Sequence, residues 1–155
     1  GSKLICGISW MSKNAITSDY KSSALKDFLP ILSLNTLSFI DLQYGDTSVE
    51  REGIKASSNI DVRHLDEIDN FNDLDGLAAL IDACDIVVTT SNTTVHLAGA
   101  LGKKTFLMLP YSRGKLWYWH EGHDQCLWYP SVKIFRQPAD GDWESVINQV
   151  AAEIG

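Results

Sequence analysis

The sequence predicts an α/β domain, a Rossmann-like doubly wound parallel sheet of about six strands in three layers. Three observations carry that expectation. Segments of β-type alternate with segments of helical periodicity from end to end of the 155 residues, and repeated β-α alternation leads to a parallel sheet covered by helices on both faces. The segment DIVVTTSNTTVHLAGALG at residues 85–102 then compresses a strand, a turn and a helix into 18 residues. Finally, the polar turn in that segment follows the fourth strand. This fits the strand order 3-2-1-4-5-6, in which strands one and four flank the point where ligands bind.

The elements follow in order. Residues 4–10 (LICGISW) read as the first strand. Residues 22–34 place Leu25, Phe28, Leu29 and Leu32 at helical spacing, with Pro30 expected to kink or split the helix. Residues 37–43 (LSFIDLQ) form the second strand, 46–56 a short helix or loop, and 60–65 (IDVRHL) a short third strand. Leu74, Leu77, Ala78, Leu80, Ile81 and Cys84 outline an amphipathic helix capped by Asn72 or Asp73. Residues 85–90 are the fourth strand, with Ile86, Val87 and Val88 a β-branched run suited to burial on both faces. The next helix runs from Val95 to Leu101, with Gly102 at the position after its end. Residues 105–109 and 132–135 are strands five and six. Asp142 caps a last helix whose apolar stripe is Trp143, Val146, Ile147, Val150 and Ile154.

Size and composition narrow the function. The chain is long enough for one domain with a core and too short for two. Gly1-Ser2 reads as a cloning scar and 3–155 as a single Rossmann-like domain, with an upstream domain expected in the full protein. The net charge is −7 and no basic run occurs, which argues against nucleic acid. No apolar run is long enough for a membrane span and no signal peptide is visible. Cys6, Cys84 and Cys126 make an odd count; Cys6 and Cys84 sit in apolar contexts, as expected of reduced cysteines in a cytoplasmic protein.

The chemistry converges on residues 89–94, six hydroxyl or amide side chains in succession. A helix starting just past the carboxyl end of a parallel strand aims free N–H groups and its positive dipole end into the crevice. Ser91, Asn92, Thr93 and Thr94 are therefore the expected phosphate-binding turn, against the plainer reading of a well-capped βα turn. His96 lies early in that helix, either donating to a phosphate or bracing the turn as a core histidine. Ser9, Trp10, Ser12 and Lys13 follow strand one and face the same crevice. Lys13 is the candidate cation beside a phosphate bound there, with Lys21, Arg113 and Lys115 behind it. The aromatic connection at 110–131 offers Trp117 and Trp119, with Tyr118, to stack on a base or flank a sugar. Trp128-Tyr129-Pro130 is expected to fold back as a satellite core.

Other motifs carry less. Asp73-Leu74-Asp75 matches a DxD pattern but opens a helix, where acids cap. His120, His123 and Cys126 offer three metal-ligand types without a matched fourth. No GxGxxG follows strand one, and neither a GxSxG elbow nor a P-loop is present.

Several segments together resemble a known family: GISW with a lysine-bearing loop, LQYGD at 42–46, DLDGLAALIDACDIVVTTSNTTVHLAGALGKKTFLMLPY at 73–111, WYPSVKIFRQ at 128–137, and GDW at 141–143. They look like the carboxy-terminal half of heptosyltransferase-like GT-B glycosyltransferases, nearest to the bacterial members joined to tetratricopeptide repeats. The resemblance covers nearly the whole chain and implies the donor-binding half of a metal-independent transferase. Such an enzyme moves a sugar from a nucleotide diphosphate to an acceptor hydroxyl or amine. It needs no cofactor and gains its acceptor side from an N-terminal or tetratricopeptide domain. Members often carry an acid five residues before the histidine. Ser91 stands there in this chain, and the tetratricopeptide-linked members tolerate Ser-Asn-Thr. Two alternatives stay open: a catalytically silent nucleotide- or protein-binding domain, and a sugar-nucleotide epimerase on the same fold.

Overall fold

A computed structural model of the chain describes residues 2–11, 24–109, 128–139 and 141–155. Six parallel strands form one sheet: β1 (Leu4–Ser9), β2 (Leu37–Asp41), β3 (Val62–Arg63), β4 (Ile86–Thr90), β5 (Lys104–Leu109) and β6 (Val132–Arg136). Their order is β3-β2-β1-β4-β5-β6, the expected doubly wound arrangement. Five α-helices cover it: α1 (Leu29–Leu32), α2 (Ser48–Ser58), α3 (Leu74–Asp82), α4 (Thr93–Ala100) and α5 (Trp143–Ile154).

The side-chain alternation of each strand divides the core in two. Cys6, Ile8 and Val88 point to the face covered by α1, α2 and α5, where they meet Ile31, Ile54, Val146 and Val150. Val87 points to the opposite face, with Leu77, Ile81 and Ala98 of α3 and α4. Leu107 and Ile134 continue that second face against Val95. Burial on both sides is why β4 reads as an unbroken apolar run instead of an alternating one. Cys6 and Cys84 are buried free thiols in different clusters, and burial pushes the Cys84 thiol up to about 11.

Local chemistry sets the boundaries. Pro30 splits the 22–34 segment as expected: a 3-10 turn at Leu25–Phe28 runs into α1, and the proline stands in the first turn of α1, where a missing N–H costs nothing. The 46–56 segment, expected as a short helix or loop, resolves as helix over Ser48–Ser58, α2. The third strand shrinks from the expected 60–65 to Val62–Arg63, because this edge strand pairs only with Phe39 and Ile40 of β2. Asp73, not Asn72, caps α3, its carboxylate accepting from the Gly76 N–H at 2.8 Å. Asp142 caps α5 in the same way through the Ser145 N–H at 2.9 Å. Gly102 follows α4 with φ +68°, the left-handed turn that favours glycine there.

Candidate functional site

The sheet order places the ends of β1 and β4 side by side, with Ser9 in register with Thr89. The crevice beyond them is where a doubly wound sheet receives a ligand. A small hydrogen-bond network builds its floor. The Gln43 side-chain oxygen accepts from the Trp10 N–H at 2.8 Å, the Met11 N–H at 2.8 Å and the Ser9 hydroxyl at 3.2 Å. From the other side, the Asn92 amide donates to Ser9 Oγ at 2.7 Å and to the Met11 carbonyl at 3.1 Å. The Asn92 carbonyl oxygen in turn accepts from the Thr94 N–H at 3.0 Å and the Thr89 hydroxyl at 3.2 Å. Asn92 is thus the N-cap of α4 and also the cross-link from α4 to the end of β1.

This geometry sorts the residues expected to touch a phosphate. Asn92 is occupied as cap and bridge. Ser91 and Thr94 are each 4% exposed, while Thr93 is exposed at the helix start. The first-turn N–H groups of a helix have no intrahelical acceptor. Here the Thr94 group is taken by Asn92, so the other N–H groups of that turn supply the anion-attracting end. Thr90, the last residue of β4, is fully buried, and its hydroxyl has no hydrogen-bond partner among the described residues. A buried polar atom of this kind costs free energy until something satisfies it.

Ser9 belongs to the crevice through its hydroxyl. Trp10 is 0% exposed and packs in the core with Ile8 and Phe28, its indole N–H donating to Glu50 at 3.3 Å. Its contribution at the crevice is the main-chain N–H that Gln43 holds. Ser12, Lys13, Trp117 and Trp119 lie outside the described residues, as do Lys21, Arg113, Lys115, Tyr118, His120, His123 and Cys126. Among the described residues no group of His, Cys, Asp and Glu is arranged to hold a metal ion.

His96 is half-buried one turn into α4. Its Nδ1 lies 3.4 Å from the Tyr129 hydroxyl, and the two rings meet edge to face at 5.9 Å. Burial pushes the imidazole below its ordinary value, so it is the neutral ring that meets any ligand near neutral pH. Tyr129 also lies flat against Gly99, where an added Cβ would stand 2.4 Å from the ring. Only a residue without a side chain admits the tyrosine here. Tyr129 therefore joins the Val95 and Leu107 cluster as expected of a satellite core. Trp128 is not part of that cluster and is 60% exposed.

Two residues that the sequence reading passed over prove central to this architecture. Gln43, 1% exposed, gathers three donors from the end of β1, and nothing in the 32–34 residue spacing announces it. Asp41 is fully buried at the end of β2, where its carboxylate meets the Thr47 hydroxyl, His64 Nδ1 at 2.9 Å and Arg51 Nε at 3.5 Å. Burial pushes its carboxyl above the usual range, against the hydrogen bonds from Thr47, Gln43 and His64 that favour the charged form.

No family model matches the chain. It is similar to Protein FlbA of Caulobacter vibrioides, 34% identical over 125 residues that make up 81% of this chain and 20% of FlbA. The chain thus spans about a fifth of the length of the curated relative it matches. No described helix is long and apolar enough to cross a membrane.

Proposed function

We propose that this domain binds the diphosphate of a nucleotide sugar at the start of α4 and serves as the donor half of a metal-independent glycosyltransferase of the heptosyltransferase-like kind. The observation that carries the reading is the junction of β1, β4 and α4. There a helix N-terminus opens at the switch point of the sheet, beside the buried Thr90 hydroxyl, which has no partner among the described residues. The sequence resemblance supports the same site from an independent direction. In this reading Thr93, Thr94 and the free N–H groups of the first turn hold the diphosphate, and the dipole of α4 stabilises the charge that develops as the glycosidic bond breaks. Lys13 adds a cation, Trp117 or Trp119 flanks the base or sugar, and His96 braces the turn from its neutral form. A tetratricopeptide or other N-terminal domain supplies the acceptor, in the cytoplasm.

The test is a calorimetric titration with UDP, GDP, ADP and CDP, each with and without Mg²⁺. One nucleotide should bind saturably and indifferently to metal, and Thr93→Ala with Thr94→Ala should weaken it about tenfold or more through the loss of two charge-assisted hydrogen bonds. Unchanged affinity in a folded double variant sinks the phosphate assignment. A second reading, nucleotide binding without turnover, is favoured by Ser91 at the position where many relatives of this kind carry an acid. Donor hydrolysis or transfer by the full-length protein decides between the two.

A further inference from the structure

The net charge of the chain is concentrated in one region. Residues 64–102 hold seven acids and neither lysine nor arginine, so they account for the whole −7 while the rest of the chain balances. Five of these acids lie between Asp66 and Asp75, on the turn that leads from β3 into α3. Within that turn Phe71 is 48% exposed and Leu74 52% exposed, and the Tyr44 ring lies 5.9 Å from that of Phe71. Large apolar side chains scattered singly on a surface need no explanation, but here two rings meet and Leu74 follows three residues on in the sequence.

The turn is also fixed. Asp69 Oδ1 accepts from the Phe71 N–H at 2.9 Å and the Asn72 N–H at 3.2 Å, and Asp69 Oδ2 accepts from the Asn72 amide at 2.8 Å. The Asn70 amide donates to the carbonyls of Asp41 and Gln43, each at 3.2 Å, which ties the turn to the end of β2. Asp73 closes it as the cap of α3. Side chains presented by a backbone already held in place lose little entropy when a partner arrives.

We infer that Tyr44, Phe71 and Leu74 form a docking surface for a cationic protein segment, one that presents an apolar side chain flanked by lysine or arginine. The apolar group makes the contact, and the surrounding charge selects the partner. Asp66, Glu67 and Asp75 flank Phe71 and Leu74 in the sequence and are exposed. They repel the phosphates of nucleic acid, an anionic lipid surface and a second copy of this acidic chain. Aromatic rings within a ring of carboxylates suit arginine and lysine, which stack on the former and pair with the latter. Among the described residues Arg51 is committed to Asp41, and His64 Nε2 lies 3.6 Å from Asp66 Oδ1. The surface lies on the same carboxyl edge of the sheet as the crevice and does not depend on what the crevice binds.

The experiment titrates a synthetic leucine–arginine amphipathic peptide into the ¹⁵N-labelled protein, with a leucine–glutamate peptide as control. The expected result is saturable shifts confined to Tyr44, residues 66–75 and their neighbours with the cationic peptide alone. Phe71→Ser with Leu74→Ser should then lower the affinity at least tenfold. Both side chains are exposed, so an unchanged amide spectrum elsewhere verifies the fold. The inference is overturned by absence of saturable shifts, by shifts spread over the whole surface, or by equal affinity in the double variant, which would mark charge attraction alone. The same shifts produced by anionic vesicles, or by raising the protein concentration, overturn it as well.

Discussion

At the carboxyl edge of the sheet, the end of β1 and β4 and the end of β2 and β3 bury polar groups by opposite means. Around Ser9, Gln43 and Asn92 every member is neutral, and amides and hydroxyls satisfy one another across three strands and a helix. A few residues away, Asp41 is buried with Thr47, His64 and Arg51, a carboxylate held by a hydroxyl, an imidazole and a guanidinium. The neutral network fixes backbone position without placing a charge near the crevice, so it leaves the field of α4 intact for an anion. The charged network is saturated by its own partners and is a strut, not a receptor. One edge of one sheet thus carries a neutral network beside a helix start and, a few residues away, a buried carboxylate held by its own partners.

Removing the neutral hub should produce the largest effect. Gln43→Leu leaves the Ser9 hydroxyl and the Trp10 and Met11 N–H groups without their acceptor, and each buried donor left unmade costs about 1–3 kcal/mol. Chemical denaturation should therefore show a loss of about 3 kcal/mol or more. A loss under about 1 kcal/mol would mean that water replaces the side chain and that the hub is not a constraint. Asn92→Ala should cost less, about 1–2 kcal/mol for a lost cap and bridge. It should also move the Ser9 and Met11 amide resonances, which the loss of a cap alone would leave in place.

The smallest effect, and the sharpest for the comparison, is pH dependence, because the two regions titrate in opposite senses. Burial lowers the His96 pKa, so its contribution is present above the unfolded value near 6.5 and is lost as pH falls through the folded value. Burial raises the Asp41 pKa, so its contribution is fully present below the unfolded value near 3.8 and is lost as pH rises through the folded value. His96→Gln should flatten the stability profile below about pH 6.5, and Asp41→Asn should flatten it in the range above the ordinary carboxylate value. Midpoint denaturant concentrations across pH would record both. A steeper profile in either variant would reverse the assignment of that group.

The expected strand order, the cap at Asp142, the split at Pro30 and the turn at Gly102 were all legible in the sequence, because each depends on neighbours within a few positions: apolar periodicity, a carboxylate before a helix, a ring without an N–H, a residue tolerant of positive φ. The boundaries of β3 were not, since an edge strand extends only as far as its single partner allows. In the candidate site the helix start at 91–94 was legible for the same local reason. The commitment of Asn92 to Ser9 was not, because it spans 83 positions.

The sequence by itself determined which segments become strands and helices, that they alternate into a doubly wound sheet, and that hydroxyls and amides crowd the turn after β4. Tertiary structure alone decided which of those polar groups are buried and which pair with one another. It turned Trp10 into core, made Gln43 the hub of β1, left the Thr90 hydroxyl without a partner among the described residues and gathered the side chains of Asp41, Arg51 and His64 into one place. Local preference is set by the covalent neighbours of a residue. Hydrogen-bond satisfaction and burial are set by groups brought near only when the sheet closes, and a linear sequence does not carry their distances.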